Sequence, residues 1–353
     1  MCHGVLEERM KLADVPLANS LTNCPNEGKL FPLTIMECVD CGHVQSLEVI
    51  TEIEGAYPFR TPQASVPNLV QVAKILHHRH LNVKTIVEIG SNNGLNTDIL
   101  HGEFGGNIIN VDPNGTHWAA WKEPMSLETA KRIYKRIGPI DLVVANNVLA
   151  HIDDLDDVME GIEFLLSDEG AVIIEVQDFS ASVRHGWYDM LYHEHMDQHT
   201  VYPWAIMAKR FGMAIFCIDR LDVHGGSFRL ELRKVKGPNR PLAPEDRNID
   251  WDEYRIRTAE NMTSLDMRTP ECVAWGASAK LTMLIHQSNL QDRIKYVVDS
   301  TPEKQGKYLP CTSIPIVADF KEGEDRPVLL GAWNYAEVFE QQYPHMEAIL
   351  PYG

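Results

Sequence analysis

Apolar and polar positions along the chain follow three different rhythms. Between residues 65 and 235, short apolar runs alternate with helical patterns, the mark of βαβ units around a parallel sheet. "TIVEIGSNNGLNTDIL" (85–100) begins as a strand, breaks at a glycine-rich turn and resumes as a helix. "NIINVDPN" (107–114), "IDLVVANNVLAHI" (140–152) and "GAVIIEVQDF" (170–179) supply three more strands. The alternation restarts at 272 with "CVAWGASAKL", "IKYVVDS" and "PVLLGAWNY". Before it, "NRPLAPEDRNIDWDEYRIRTAENM" (239–262) reads as a proline-containing linker that runs into a polar helix. Residues 1–60 show little periodicity. The pattern predicts three domains, over 1–60, 61–238 and 239–353, the last two of α/β type.

Composition narrows the class. At 353 residues the chain exceeds one ordinary core, and 44% apolar with 23% charged residues is typical of a globular protein in water. No apolar run approaches the ~20 residues of a membrane span, and the first residues lack a signal-peptide pattern, so a cytoplasmic location without a membrane partner is expected. The formal charge of −18 disfavours nucleic acid, whose binding relies on Lys and Arg displacing counterions. Seven scattered cysteines, an odd number, suit thiols or metal ligands better than a disulfide framework. Nothing in the pattern fixes an oligomeric state.

In an open parallel sheet, ligands bind beyond the carboxyl ends of the strands. There Gly90 and Gly94 let the backbone approach a ligand, and Asp112, 24 residues after Glu88, is placed to accept from ribose hydroxyls. A dinucleotide fold wants G-x-G-x-x-G, and the turn Gly90-Ser91-Asn92-Asn93-Gly94 has one glycine too few. E-x-G-x-x-x-G with an acidic residue closing the next strand resembles class I S-adenosylmethionine-dependent methyltransferases. That resemblance puts Glu88, Gly90, Ser91, Asn92 and Gly94 around the methionine side, Asp112 on the ribose, and Asn146 and Asn147 near the amino-acid moiety. A glycine turn in some other α/β protein is the alternative.

Eight stretches in order resemble the sugar-nucleotide C-methyltransferases: "PLANSL" (16–21), "ECVDCGHVQ" (37–45), "EIGSNNG" (88–94), "NNVLAHIDDL" (146–155), "YHEH" (192–195), "HGGSFR" (224–229), "WGASAK" (275–280) and "VVDSTPEKQGKYLPCTSIPI" (297–316). The resemblance implies a class I methyltransferase (Rossmann-like) central domain, a small N-terminal zinc-type lobe and a C-terminal Rossmann-like domain. It also implies methylation of a ring carbon in a nucleotide-linked keto sugar. Substrate contacts are then expected at Tyr57, His224, Gly225, Ser227, Lys280 and Asn334. The chain departs from the family at Asn93, where aspartate is usual, and in "YPFRTP" (57–62), which keeps only Tyr57 of two tyrosines. The step from Asp112 to Asp141 is also short.

"WYDMLYHEHMDQHTVYPW" (187–204) concentrates three histidines, two aspartates and a glutamate. His193, His195 and His199 have spacings a metal could use, or they form a solvated patch. With a methyl donor beside them they suit proton abstraction: carbon methylation next to a ketone needs a base to make the enolate. The resemblance makes His195 that base. On a helix, Tyr192 would share its face and donate to the enolate oxygen, while Glu194 orients an imidazole or grips a hydroxyl. His193 is expected to be structural. His224 is either a second polar group toward substrate or the cap of a tight strand turn.

Cys38-Val-Asp-Cys41-Gly42 is half of a zinc knuckle. By the family's spacing Cys2 is the second cysteine of the other half, whose first would precede Met1. Cys24 or His3 is then the fourth ligand, or the lobe keeps reduced cysteines without metal. In the last domain, "WGASAK" leads into a helix N-terminus that favours an anion, with Lys280 aimed at a diphosphate and Asn334 lining the cleft. The remaining alternatives are a domain that only shapes the cleft, methylation at oxygen of another small molecule, and a non-catalytic sugar-nucleotide-binding protein.

Overall fold

The computed structural model describes residues 2–50, 66–80, 82–115, 120–235 and 248–352. Tyr57, the rest of "YPFRTP" and the linker at 239–247 lie outside the described residues. The chain opens with β1 (Leu6–Pro16), β2 (Leu30–Cys38) and β3 (Val44–Ser46). β1 and β2 pair antiparallel from Leu6↔Cys38 to Pro16↔Leu30. Irregularities after Glu8 and after Leu12 shift the register, and each shift breaks the apolar alternation that would have marked the strand.

The central run is α1 (Val66–Arg79), β4 (Thr85–Ile89), α2 (Leu95–Phe104), β5 (Asn107–Val111), β6 (Ala120–Trp121), α3 (Leu127–Ile137) and β7 (Ile140–Asn146). It continues with α4 (Leu155–Leu165), β8 (Leu166–Gln177), α5 (Phe179–His185), β9 (Asp197–Gln198), α6 (Val201–Arg210), β10 (Met213–Leu221) and β11 (Ser227–Lys234). Seven strands form one sheet in the order β10-β11-β8-β7-β4-β5-β6. β4 to β8 run parallel, and β10 and β11 close the sheet antiparallel. The chain order reverses at β4, flanked by β5 and β7, so a switch-point crevice opens at its carboxyl end. This is the class I methyltransferase fold.

β9 does not join that sheet. It pairs with β3 and completes the four-stranded N-terminal sheet β1-β2-β3-β9. After α7 (Trp251–Arg268) come β12 (Cys272–Trp275), α8 (Ala279–Gln287), β13 (Ile294–Val298), β14 (Ile316–Val317), β15 (Val328–Leu330), α9 (Ala336–Gln342) and β16 (Ala348–Ile349). Five of these strands make a parallel sheet, β14-β13-β12-β15-β16.

One hydrophobic cluster joins all three regions: Leu33 and Ile35 of the N-terminal sheet, Phe179 and Tyr192 of the centre, Tyr254 of α7 and Met283 of α8. Among the described residues, no helix is long and apolar enough to cross a membrane.

Candidate active site

The turn after β4 is built by conformations that few side chains tolerate. Gly90 has φ 75°, Asn92 51° and Gly94 79°. A side chain at Gly90 would meet Val148 at 2.3 Å, so glycine lets the 148 segment close over the turn. Asp112 ties it down, its Oδ2 accepting from Asn92 N (2.7 Å) and its Oδ1 from Asn114 N (2.8 Å). Glu88 is buried and accepts from Asn96 Nδ2 (2.7 Å) and the Thr97 hydroxyl, which fixes the start of α2. Ser91 Oγ, Asn93 Oδ1 and Asn146 Oδ1 are buried without a hydrogen-bond partner. Three orphaned polar atoms at the carboxyl ends of β4 and β7 fit a polar ligand there, as S-adenosylmethionine would be. Asn147 differs from expectation: its Nδ2 donates to Glu175 Oε1 (3.2 Å), so that amide is spent inside the sheet.

Residues 192–195 form a turn, not the expected helix, closed by His195 N donating to Tyr192 O (2.9 Å). A spacing of three still brings the pair together: the Tyr192 hydroxyl lies 2.7 Å from His195 Nε2, with the rings stacked at 4.2 Å. The roles in this contact follow the tautomer: with the ring proton on Nδ1, Nε2 carries the lone pair and accepts from the Tyr192 hydroxyl. Burial holds His195 well below the usual 6.5, and the nearby His151, His199 and Lys280 push the same way. The imidazole is therefore neutral at neutral pH.

The other histidines go separate ways. His193 donates to Pro32 O (2.9 Å), and His199 is buried with neither ring nitrogen paired. Burial lowers His199 to about 4. The three do not converge, which removes the metal reading of this stretch. Glu194 does not face an imidazole or a free cleft. Its carboxylate accepts from Ala18 N (3.2 Å) and Asn19 N (2.8 Å), so it clasps "PLAN" to the turn.

Two residues absent from the sequence reading hold this turn and the His195 imidazole in place. Gln198 Nε2 donates to His195 O (3.1 Å), and His151 Nδ1 donates to Glu194 O (2.5 Å) with its ring 4.6 Å from that of His195. His151 belongs to "NNVLAHIDDL", a signal that was there to use.

On the opposite side, His224 has φ 56° and its carbonyl accepts from Gln177 Nε2 (3.1 Å) and Lys280 Nζ (3.0 Å). Burial lowers the His224 imidazole to about 4, with Lys280 adding to the effect. Gly225 admits not a free ligand but Trp333: a side chain there would stand 2.6 Å from the indole. Asn334 shares a single turn with Trp333. Ser227 Oγ donates to Val223 O (3.2 Å), so its hydroxyl closes the strand turn instead of meeting substrate.

The expected anion site before α8 is filled by the chain itself. Ala277 N donates to Asp299 Oδ2 (2.8 Å), and Lys304 Nζ stands 3.4 Å from the same oxygen. Lys280 points away from that turn, toward the central domain.

Cys2, Cys38 and Cys41 bring three sulfurs within 4.8 Å of one another, the only such group among the described residues. Neither expected fourth ligand joins them. Cys24 is exposed, in a segment that bonds to the 308–312 loop of the last domain, and His3 Nε2 is engaged by Asp156 (2.7 Å). The donor set thus offers zinc three of its usual four corners.

A family model described as a methyltransferase domain matches residues 68–217, and one described as the C-methyltransferase C-terminal domain matches 247–349. C-methyltransferase NovU of Streptomyces niveus is 24% identical over 378 residues, covering 96% of this chain and 90% of that protein. Among solved structures, an O-methyltransferase family protein from Burkholderia thailandensis aligns at 15% identity and TM-score 0.37, over 50% of this chain and 58% of its own. The plantazolicin methyltransferase BpumL, in complex with SAH, aligns at 9% and 0.36, over 49% and 86%. Structural likenesses this low carry no argument.

Proposed function

The chain is an S-adenosylmethionine-dependent C-methyltransferase, and we propose that its substrate is a nucleotide-linked keto sugar deprotonated by His195. The cofactor, when bound, supplies an electrophilic methyl on a sulfonium. Ser91, Asn93 and Asn146 would meet its polar groups. Asp112 would take the ribose hydroxyls on the lone pairs that Asn92 and Asn114 leave open.

The observation that carries the reading is the Tyr192–His195 contact, 2.7 Å, beside His151, which follows β7, the strand whose last residue Asn146 holds one of the orphaned atoms. Burial keeps the imidazole neutral, as a base must be. Tyr192 holds the ring until a substrate C–H takes its place on Nε2. A carbon beside a ketone has the acidic C–H such a base can remove, and an alcohol awaiting O-methylation does not need it there. The sugar-nucleotide part rests on the eight ordered stretches of sequence.

The test is incubation with S-adenosylmethionine and a panel of nucleoside-diphosphate-linked keto-deoxy sugars, read by mass spectrometry. A product heavier by one methylene, and C–H exchange in deuterated water without the cofactor, support the proposal. Methylation of a hydroxyl, or no exchange with any methylated sugar, defeats it. The proposal keeps zinc as the structural ion of the N-terminal lobe, on Cys2, Cys38 and Cys41 with a fourth ligand other than Cys24 or His3. Metal analysis of protein purified without chelators should find about one equivalent, and Cys38→Ser should release it.

A further inference from the structure

Removing a C–H proton beside a ketone leaves negative charge on the carbonyl oxygen, and in a water-poor cleft that charge needs a partner. The imidazoles around the cleft do not supply it. Burial holds His151 and His195 below 6.5, and brings His199 and His224 to about 4, so all four are neutral at pH 7. Two nearby arginines are committed: Arg229 to Glu175 (2.6 Å) and Arg220 to Asp178.

Lys280 is different. It is 8% exposed, and its Nζ donates to the His224 carbonyl (3.0 Å) and lies 4.4 Å from the Trp333 ring centroid. Among the described residues it forms no ion pair. An ammonium has three donors, and burying one with donors unspent is costly unless a ligand completes it. Asp189 faces it across the junction, fully buried, with Oδ2 on Trp333 Nε1 (2.6 Å) and Oδ1 without a partner. The Lys280 charge also acts on His195. The His224 carbonyl that Lys280 holds is shared with Gln177, the last residue of β8, and Gln177 lines one small cavity together with His195.

We propose that Lys280 is the catalytic counter-cation of the enolate, its ammonium donating to the keto oxygen of the substrate while His195 takes the proton. In that step the C–H bond breaks, an N–H bond forms on His195 Nε2, and the electron pair moves through the new C=C bond onto the oxygen held by Lys280. Burial lowers the Lys280 ammonium from its usual value and the Asp189 charge opposes that shift, so Asp189 is a positioning residue. The proposal rests on the keto-sugar reading, and it replaces the diphosphate role that the sequence suggested for this lysine.

Lys280→Met removes the charge and keeps the stem. With a keto sugar nucleotide that the wild type methylates, exchange in deuterated water should slow roughly 10²-fold, the scale of losing one oxyanion donor, while KM moves by less than about threefold. Lys280→Arg, which keeps the charge, should recover at least about a tenth of the wild-type rate. The charged or titrating groups facing His195 are Tyr192, His151, His199 and Lys280, and of these Lys280 carries the charge that Lys280→Met removes, so the acid limb of the exchange profile should also shift to higher pH. The His195 titration followed by NMR, without any substrate, should shift the same way.

A raised KM with unchanged exchange would mean a diphosphate contact and overturn the proposal. So would an unmoved His195 titration in a Lys280→Met protein that still binds S-adenosylmethionine. In either case wild-type exchange would leave the base assignment standing. No wild-type exchange with a methylated substrate would fell the base assignment, and this proposal with it.

Discussion

The cofactor turn and the base turn are similar in length and opposite in how they are held. The first is fixed by near neighbours: Glu88 by Asn96 and Thr97, eight and nine residues on, and Asn92 by Asp112, twenty on. The second also has near partners in Gln198 and His151, but it is tied in addition to Ala18, Asn19 and Pro32, which stand 161 to 176 residues away in the chain. On the proposed function, binding the methyl donor would be a property of one β-turn-α unit, and proton abstraction a property of the whole assembly.

The largest way to sharpen this contrast is His195→Asn. Exchange of the substrate C–H should fall by roughly 10²–10⁴-fold, the contribution of a positioned general base, with S-adenosylmethionine affinity unchanged. Calorimetry and deuterium incorporation on the same preparation decide it; a joint loss would mean that the two turns are one unit. Asp112→Ala should do the reverse. It should weaken cofactor binding by at least about 1.5 kcal/mol, roughly tenfold, since it removes a charged acceptor and the anchor of Asn92. Substrate exchange without cofactor should persist.

Glu194→Gln keeps shape and one acceptor but drops the charge that holds "PLAN". Exchange should slow by about tenfold, on the scale of one weakened charge-assisted hydrogen bond, while cofactor affinity stays put. An unchanged exchange rate would show that the base turn keeps its shape without the N-terminal lobe.

The smallest effect is on stability against pH. His199 and His224 titrate at about 4 in the fold and near 6.5 when unfolded. Protons therefore bind the unfolded chain first: stability from these two is complete above 6.5 and is lost as pH falls toward 4. Melting temperature should be level from about pH 8 to 7 and decline below the ordinary histidine value. His199→Phe should flatten part of that decline. If it does not, the acid-sensitive part of the molecule lies elsewhere than beside the base.

The same contrast explains what the sequence made legible. Gly90, Gly94 and Asp112 could be read because their conformations and partners are local, and residue type at a fixed spacing encodes both. Tyr192 and His195, expected side by side on a helix, meet in a tight turn, because a spacing of three brings side chains together in either geometry. Glu194, Ser227 and Gly225 were assigned to ligands and serve the fold, since only the fold shows that Asn19, Val223 and Trp333 reach them first. Cys24 follows the same rule: its segment is drawn to the 308–312 loop, a partner nearly 300 residues away in sequence. The β1–β2 hairpin went unread because two register shifts erased its alternation.

β9 contributes just two residues, Asp197 and Gln198, to its pairing with β3. So short a ladder has few bonds to break, as have β5–β6, β13–β14 and β15–β16, and native proteins open first where few bonds must break. Were it to part, Gln198 would release the His195 carbonyl it holds, and the imidazole of the proposed base would lose that support without any change in the seven-stranded sheet. The amides of 196–198 are in effect a clock. Their solvent exchange rate would count how often each molecule steps out of readiness, and a partner that quiets those amides would raise the active fraction without touching the substrate.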